Sequence, residues 1–149
     1  MPGLSIRPTS PGDPEKLAPN LRHADLRDCA LDGLEPLEAL LEGYNSSATC
    51  FTVQDASGAV LGMFGVGEKE DNKDIGIPWL LGTERLVQNR TWFLRSSRVL
   101  LNAIGSRYTV LMNKMDQGNV EHLRWVLWLG FRIVGHEGRA IHFARVNNV

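Results

Sequence analysis

The chain has 149 residues, 43% of them hydrophobic and 22% charged, with a formal net charge of −1, a soluble globular composition with enough apolar content for a core. So balanced a charge supplies no overall field to hold nucleic acid or an anionic membrane, and no apolar run approaches the ~20 residues of a spanning helix. Two cysteines, Cys29 and Cys50, are too few for a disulfide framework or a zinc site and suit a reducing cytoplasm.

In chain order, Leu4-Ser5-Ile6-Arg7 alternates and stops at Pro8, a short first strand. Asp13 stands where it would cap a helix that has Pro14 at its first position and runs toward Leu21. A second helical piece covers residues 24–31 and a third 36–44, with Leu37, Leu40 and Leu41 on one face. The period then turns from helical to alternating. Residues 49–54 and 59–67 read as strands joined by Asp55-Ala56-Ser57-Gly58, a tight-turn sequence. Residues 68–74 are polar and read as a solvated loop. Residues 75–81 form an apolar strand whose Pro78 cannot donate to a ladder and so demands a bulge or an edge. Residues 88–105 carry the strongest helical period, with Trp92, Val99, Leu100, Ala103 and Ile104 recurring at three- and four-residue steps and Gly105 at the end. Residues 108–115 alternate as a strand, Asn119 caps a helix through Leu129, and Gly130 ends it. Residues 131–134 and 140–146 are the last strands. The order predicts an α/β (α+β) chain, a mixed sheet with helices on its faces, in a single domain over residues 1–149.

Charge is spread unevenly along this order. Residues 85–114 hold Arg85, Arg90, Arg95, Arg98, Arg107 and Lys114 without an acid, whereas the first 43 residues are rich in acids. A local basic face for an anionic ligand follows.

The segment MDQGNVEHLRWVLWLGF, residues 115–131, places a strand end a few residues before Asn119 and closes its helix on Leu129-Gly130-Phe131. It resembles the C-terminal half of GNAT-type N-acetyltransferases, and the upstream element order extends that resemblance over most of the chain. Pro78 to Thr83, Phe93 to Arg95, and Asn113, Asp116 and Asn119 ahead of Trp128 to Phe131 look closest to small GNAT-like proteins of short-tailed bacteriophages. The resemblance implies a GNAT-like mixed sheet of about six to seven strands with helices on both faces. It also implies acetyl-CoA as acyl donor, no metal, and an amine or a host-protein lysine as acceptor. The setting it implies is cytoplasmic, that of the host cell, or a virion.

In that family a Gly-rich loop between the fourth strand and the long helix cradles the donor's diphosphate on free N–H groups. The corresponding stretch here, Leu81 to Arg90, has one glycine and an acid, Glu84. Two readings stand: Arg85, Asn89 and Arg90 supply side-chain donors to the phosphates, or they are solvated loop residues. Leu80, Leu81 and Asn119, whose family counterpart faces the pantetheine arm, complete the expected cofactor contacts. Where the family carries a proton-donating Tyr this chain has Val126, and residues 75–81 hold no carboxylate to serve as base. Glu68, Glu70, Asp71 and Asp74 lie just before them as a solvated run. Tyr108 and Asn113 are the remaining catalytic candidates, Asn113 because an amide in an apolar strand needs a partner. His23, His122, His136 and His142 are scattered, and His122 reads as a surface or satisfied core histidine. Two functions follow: an acyltransferase, or a GNAT-fold chain without catalysis that serves as a virion component or binds a host factor. In the second, one of Trp125 and Trp128 is exposed as an anchor.

Overall fold

The computed structural model describes residues 3–147. Seven strands form one sheet: β1 (Ser5–Pro8), β2 (Ser47–Gln54), β3 (Val60–Lys69), β4 (Asn72–Gly82), β5 (Val110–Asp116), β6 (Arg132–Glu137) and β7 (Ala140–Val146). Their order across the sheet is β1-β2-β3-β4-β5-β7-β6. Every neighbouring pair is antiparallel except β4–β5, which is parallel. Six helices cover it: α1 (Asp13–Leu17), α2 (His23–Leu31), α3 (Pro36–Ser46), α4 (Glu84–Gln88), α5 (Arg90–Gly105) and α6 (Val120–Trp128). Helices α1 to α3 close one face through Leu17, Cys29 and Leu40 against Met63 and Leu81. Helices α4 to α6 close the other through Leu86, Phe93, Leu101, Trp125 and Val126 against Phe64, Leu111 and Phe143. The expected mixed α/β sheet with helices on both faces is the fold observed.

Local chemistry explains the elements that matched expectation. The Asp55 carboxylate accepts from the Ser57 and Ala59 N–H groups and the Ser57 hydroxyl, and Gly58 takes φ +87°. That locks the β2–β3 turn. Asn119 caps α6 by accepting from the His122 N–H, Gly130 leaves the helix at φ +90°, and Phe131 drops into the core at 3% exposure.

Four expectations are corrected. Residues 68–74 are not a loop: β3 runs on to Lys69 and β4 starts at Asn72, because a hairpin tip projecting into water needs no apolar residues. The helix expected over residues 88–105 is α5, but the stretch before it is not all loop: residues 84–88 form the separate short helix α4, parted from α5 at Asn89, which sits at φ −113°, ψ 31°. The buried stripe of α5 is Phe93, Ser97, Leu101 and Gly105, whereas Val99 is exposed. The small Ser97 and Gly105 let α5 approach closely, and Ser97 Oγ accepts from Trp125 Nε1 at 3.1 Å. Finally, Asp13 does not cap α1. Its buried carboxylate takes two hydrogen bonds from Arg7, one from Ser10 N–H and one from Thr52 Oγ1, tying the helix to β1 and β2.

Burial alone would raise the Asp13 carboxyl, but the Arg7, Ser10 and Thr52 hydrogen bonds outweigh it and hold it below the usual carboxylate range. Asp116 is likewise lowered, first by the Arg139 hydrogen bonds. A carboxyl lowered in the fold contributes stability above its unfolded pKa of about 4 and loses it as pH falls through the folded value. The urea midpoint of the protein is therefore expected to drop steeply below about pH 4. Asp116→Asn is expected to be less stable at neutral pH and to show a shallower acid limb. An unchanged limb would remove Asp116 from this account.

Candidate active site

Strands β4 and β5 pair through only two residue pairs, Ile75–Val110 and Gly76–Leu111. The sequence supplies the reason. Thr109 N–H donates to Asp74 O at 2.9 Å at the closed end. Pro78, which has no N–H, stands where the ladder would continue. The Asn113 side chain donates to Pro78 O at 2.8 Å in place of a backbone group. Beyond that point the strands diverge. The bulge or edge that Pro78 demanded is the opening of the sheet itself.

Openings lie on both faces of the gap. Toward α4, α5 and α6 there is a cavity of about 130 Å³, walled chiefly by Leu86, Phe93, Leu94 and Trp125, with Arg90 and Arg124 also lining it. Toward α2 and α3 there is a cleft of about 700 Å³ bordered by Asp28, Asp32, Glu42, Trp79, Met112 and Asn113. Trp79 lines this cleft without filling it. Its ring is parked on α3, where a Cβ on Gly43 would lie 2.7 Å from Trp79 Cζ2, and its Nε1 donates to Ser47 Oγ at 3.0 Å. Leu80 and His122 border both openings.

The far end of the gap is spanned by side chains of α2 and α6. Arg22 N–H donates to Gly82 O at 3.0 Å, and Gly82 N–H donates to Asp25 Oδ2 at 2.9 Å. The Arg22 guanidinium pairs with Asp25 at 3.3 Å and donates to Asn119 Oδ1 at 2.6 Å. Asn119 Nδ2 donates to Asp25 Oδ1 and Asp28 Oδ2. His122 Nδ1 lies 2.9 Å from Asp28 Oδ2, and Asp28 Oδ1 accepts from Asp116 N–H at 2.7 Å. A carboxylate only accepts, so Nδ1 is the donor of this bond. Among the described residues, His122 Nε2 is buried without a hydrogen-bond partner.

Asp25, Asp28 and His122 are close enough to suggest a metal centre, their ligand atoms lying within 4.8 Å of one another. The donor set does not suit a cation. All four carboxylate oxygens already accept hydrogen bonds, and the Arg22 guanidinium occupies the same cluster. Nor is there a thiolate nucleophile at the cleft. Burial, with Asp28 and Asp25 adding to it, pushes the Cys29 thiol up to about 12.

The site residues expected from sequence part company here. Leu80 borders both openings, Leu81 lines the cleft and Arg90 the cavity. Arg85 does not reach either; it is drawn 2.7 Å from Asp55 on the β2–β3 turn. Asn89 spends its amide on Arg85 O at the break between α4 and α5. Asn119 is fully buried and its four hydrogen-bonding positions are filled by Arg22, Asp25, Asp28 and His122 N–H. It holds the cluster together and has nothing left for a pantetheine arm. Asn113 lines the cleft but serves as the bridge to Pro78. Tyr108 is buried at the closed end of the gap, donating to Glu68 Oε1 at 3.1 Å, and burial raises its hydroxyl further from use. Val126 is fully buried in the core. The residues missed are Arg22, Asp25, Asp28 and His122. Their signal was the regular three-residue spacing of Arg22, Asp25 and Asp28 along α2, which reads equally well as a solvated face.

No family model matches the sequence, nor does any curated protein. Solved structures do match along the whole chain. The GCN5-related N-acetyltransferase from Kribbella flavida superposes with a TM-score of 0.70 at 16% identity, over 97% of this chain and 98% of its own. The GNAT-family acetyltransferase from Streptococcus pneumoniae gives 0.66 at 18% identity, over 97% and 99%. The spermidine N-acetyltransferase from Vibrio cholerae in complex with CoA and spermine gives 0.57 at 18%, over 97% and 95%. At this level of identity the likeness is one of architecture: the chain has the fold of the GNAT N-acetyltransferases.

Proposed function

We propose that the protein transfers an acyl group from a coenzyme A thioester to an amine. The observation that carries this reading is the gap between β4 and β5, open on both faces of the sheet, with Leu80 and His122 bordering both its cavity and its cleft. A two-substrate transfer needs two separate approaches to one point. The cavity supplies the donor side. Its apolar walls suit the thioester end of the arm, and Arg90 and Arg124, the latter 3.5 Å from Glu121 on the exposed rim, are the cations placed for the diphosphate. The donor supplies an acyl carbon activated by sulfur; the chain supplies position and exclusion of water. The cleft, with Asp32 and Glu42 on its border, supplies the acceptor side and suits an amine that carries positive charge before it reacts. Short helix α4 replaces a glycine-rich loop at the end of β4, so side chains take over from backbone in holding the phosphates. Arg90 therefore keeps the role expected of it, and Arg124 takes over that expected of Arg85 and Asn89.

Calorimetric titration with acetyl-CoA tests the donor side. Saturable heat is expected, weakened roughly tenfold or more in the Arg90→Ala/Arg124→Ala double variant. No heat at high micromolar ligand overturns the proposal. For the acceptor, the phage resemblance points to lysines of host proteins, and transfer of labelled acetyl from acetyl-CoA into a host lysate, read by mass spectrometry, tests it.

A second reading has the same fold docking on a host or virion protein without catalysis. Its support is the corner of α6 and β6, where Leu127, Trp128, Ile133 and Val134 are exposed and Arg98 stands 5.3 Å over the Trp128 ring. Loss of partner capture in Trp128→Ala, with acetyl-CoA heat absent from the parent protein, would select it.

A further inference from the structure

We infer that His122, oriented by Asp28, is the proton carrier of the transfer; this rests on the acyltransferase reading above and deepens it. The ring is 5% exposed, and its two nitrogens differ completely in circumstance. Nδ1 is committed to Asp28 Oδ2 at 2.9 Å. Nε2 has no partner among the described residues, an expensive state for a buried polar atom unless a ligand completes it. The same ring borders both the cavity and the cleft, so the free nitrogen belongs to the one side chain of the buried cluster that both substrates approach. The chain lacks a tyrosine on α6, with Val126 closed into the core, and lacks a carboxylate within residues 75–81. His122 stands four residues before Val126, one turn earlier on the same helix, and supplies an acid and a base in one group.

Aromatic neighbours pack the ring that Asp28 orients. Its centroid lies 5.6 Å from that of Trp125 and 6.1 Å from that of Phe143, and Asp28 is itself held by Asn119 Nδ2 and Asp116 N–H. Asp28 is thus a positioning residue: it keeps the proton on Nδ1, leaves the Nε2 lone pair free, and balances the charge the ring acquires. In the transfer the amine nitrogen forms its bond to the acyl carbon and the carbon–sulfur bond breaks. The ammonium first releases one proton to solvent; the second proton, shed by the nitrogen as it bonds, goes to Nε2, and Nε2 delivers it to the departing sulfur. The ring ends neutral, with an amide and a free thiol as products, and no other reactant is needed.

The test uses the full chain in three measurements. His122→Gln is expected to lower kcat by about a hundredfold to ten-thousandfold, with the calorimetric affinity for acetyl-CoA held within about threefold. In His122→Ala, added imidazole is expected to restore part of kcat, which a purely structural role would not allow. Nitrogen NMR of the parent protein needs no variant to fold: it is expected to show Nδ1 protonated and Nε2 bare, with the Nε2 signal moving on addition of coenzyme A. A folded His122→Gln with parental kcat, or an Nε2 signal indifferent to coenzyme A, overturns the assignment while acyl transfer by the parent stands. A parent protein that gives no heat with acetyl-CoA and moves no label overturns the acyltransferase reading and this inference with it.

Discussion

Asn119→Asp is expected to destabilise the protein by about 3–5 kcal/mol, the usual cost of leaving an uncompensated charge in a buried network. The change replaces one NH2 group with an oxygen and alters neither shape nor volume. At this position it removes the donors to Asp25 Oδ1 and Asp28 Oδ2 and sets a third carboxylate against those two, with Arg22 as the cation of that cluster. The residue is fully buried, so water cannot screen the repulsion. Urea unfolding measures it, and Asn102→Asp is the control. Asn102 is exposed and its Oδ1 already accepts from Arg145 at 3.0 Å, so the same atomic exchange there is expected to stay within about 0.5 kcal/mol. A loss below about 1 kcal/mol at position 119 would mean that the cluster is better hydrated than its burial indicates.

Phe143→Ala is expected to cost about 3–5 kcal/mol, from the lost burial and the void left behind. Phe143 is fully buried at the middle of β7 and meets Phe131 edge-on, with centroids 5.3 Å apart at 81°. It continues a line of rings that runs from Phe51 through Phe64, Phe93 and Trp125 to His122. Thermal unfolding should show a midpoint lower by roughly 10 °C. Because Phe143 also packs the His122 ring, transfer activity should fall further than the loss of folded protein accounts for. Parallel losses would limit Phe143 to the core.

Much of the fold was written locally and so could be read locally. The β2–β3 hairpin follows from Asp55 to Gly58, and the end of α6 from Gly130 and Phe131. Trp125 and Trp128 lie three residues apart, which puts one at 2% exposure and the other at 47%. The failures have physical causes. Helix α4 lies in the stretch that reads as a loop, and it is parted from α5 by Asn89, neither Gly nor Pro, whose side chain donates back to Arg85 O. The β3–β4 tip carries the composition of a loop because both faces of it meet water. The site was less legible than the fold. Arg22 and Asn119, or Asp28 and His122, are separated by more than ninety residues, and nothing local to either segment announces the other. The regular spacing of Arg22, Asp25 and Asp28 acquires meaning only when α6 is known to lie opposite. Asn119 was singled out correctly as a cap, yet the same amide also joins two acids and a guanidinium.

In an ordinary sheet the distance between neighbouring strands is set by the peptide group, about 4.8 Å whatever the side chains, and no substitution alters it. Past Pro78 that rule lapses. The spacing of the two half-sheets is set by the Asn113 amide at one end and by Arg22, Asp25 and Asn119 at the other. An aperture built from side chains is only as wide as its struts are long, and the struts Arg22, Asp25 and Asn119 are also buried partners of one another. The width of the gap and the stability of the fold are thereby held by the same few residues, so one cannot be altered without cost to the other.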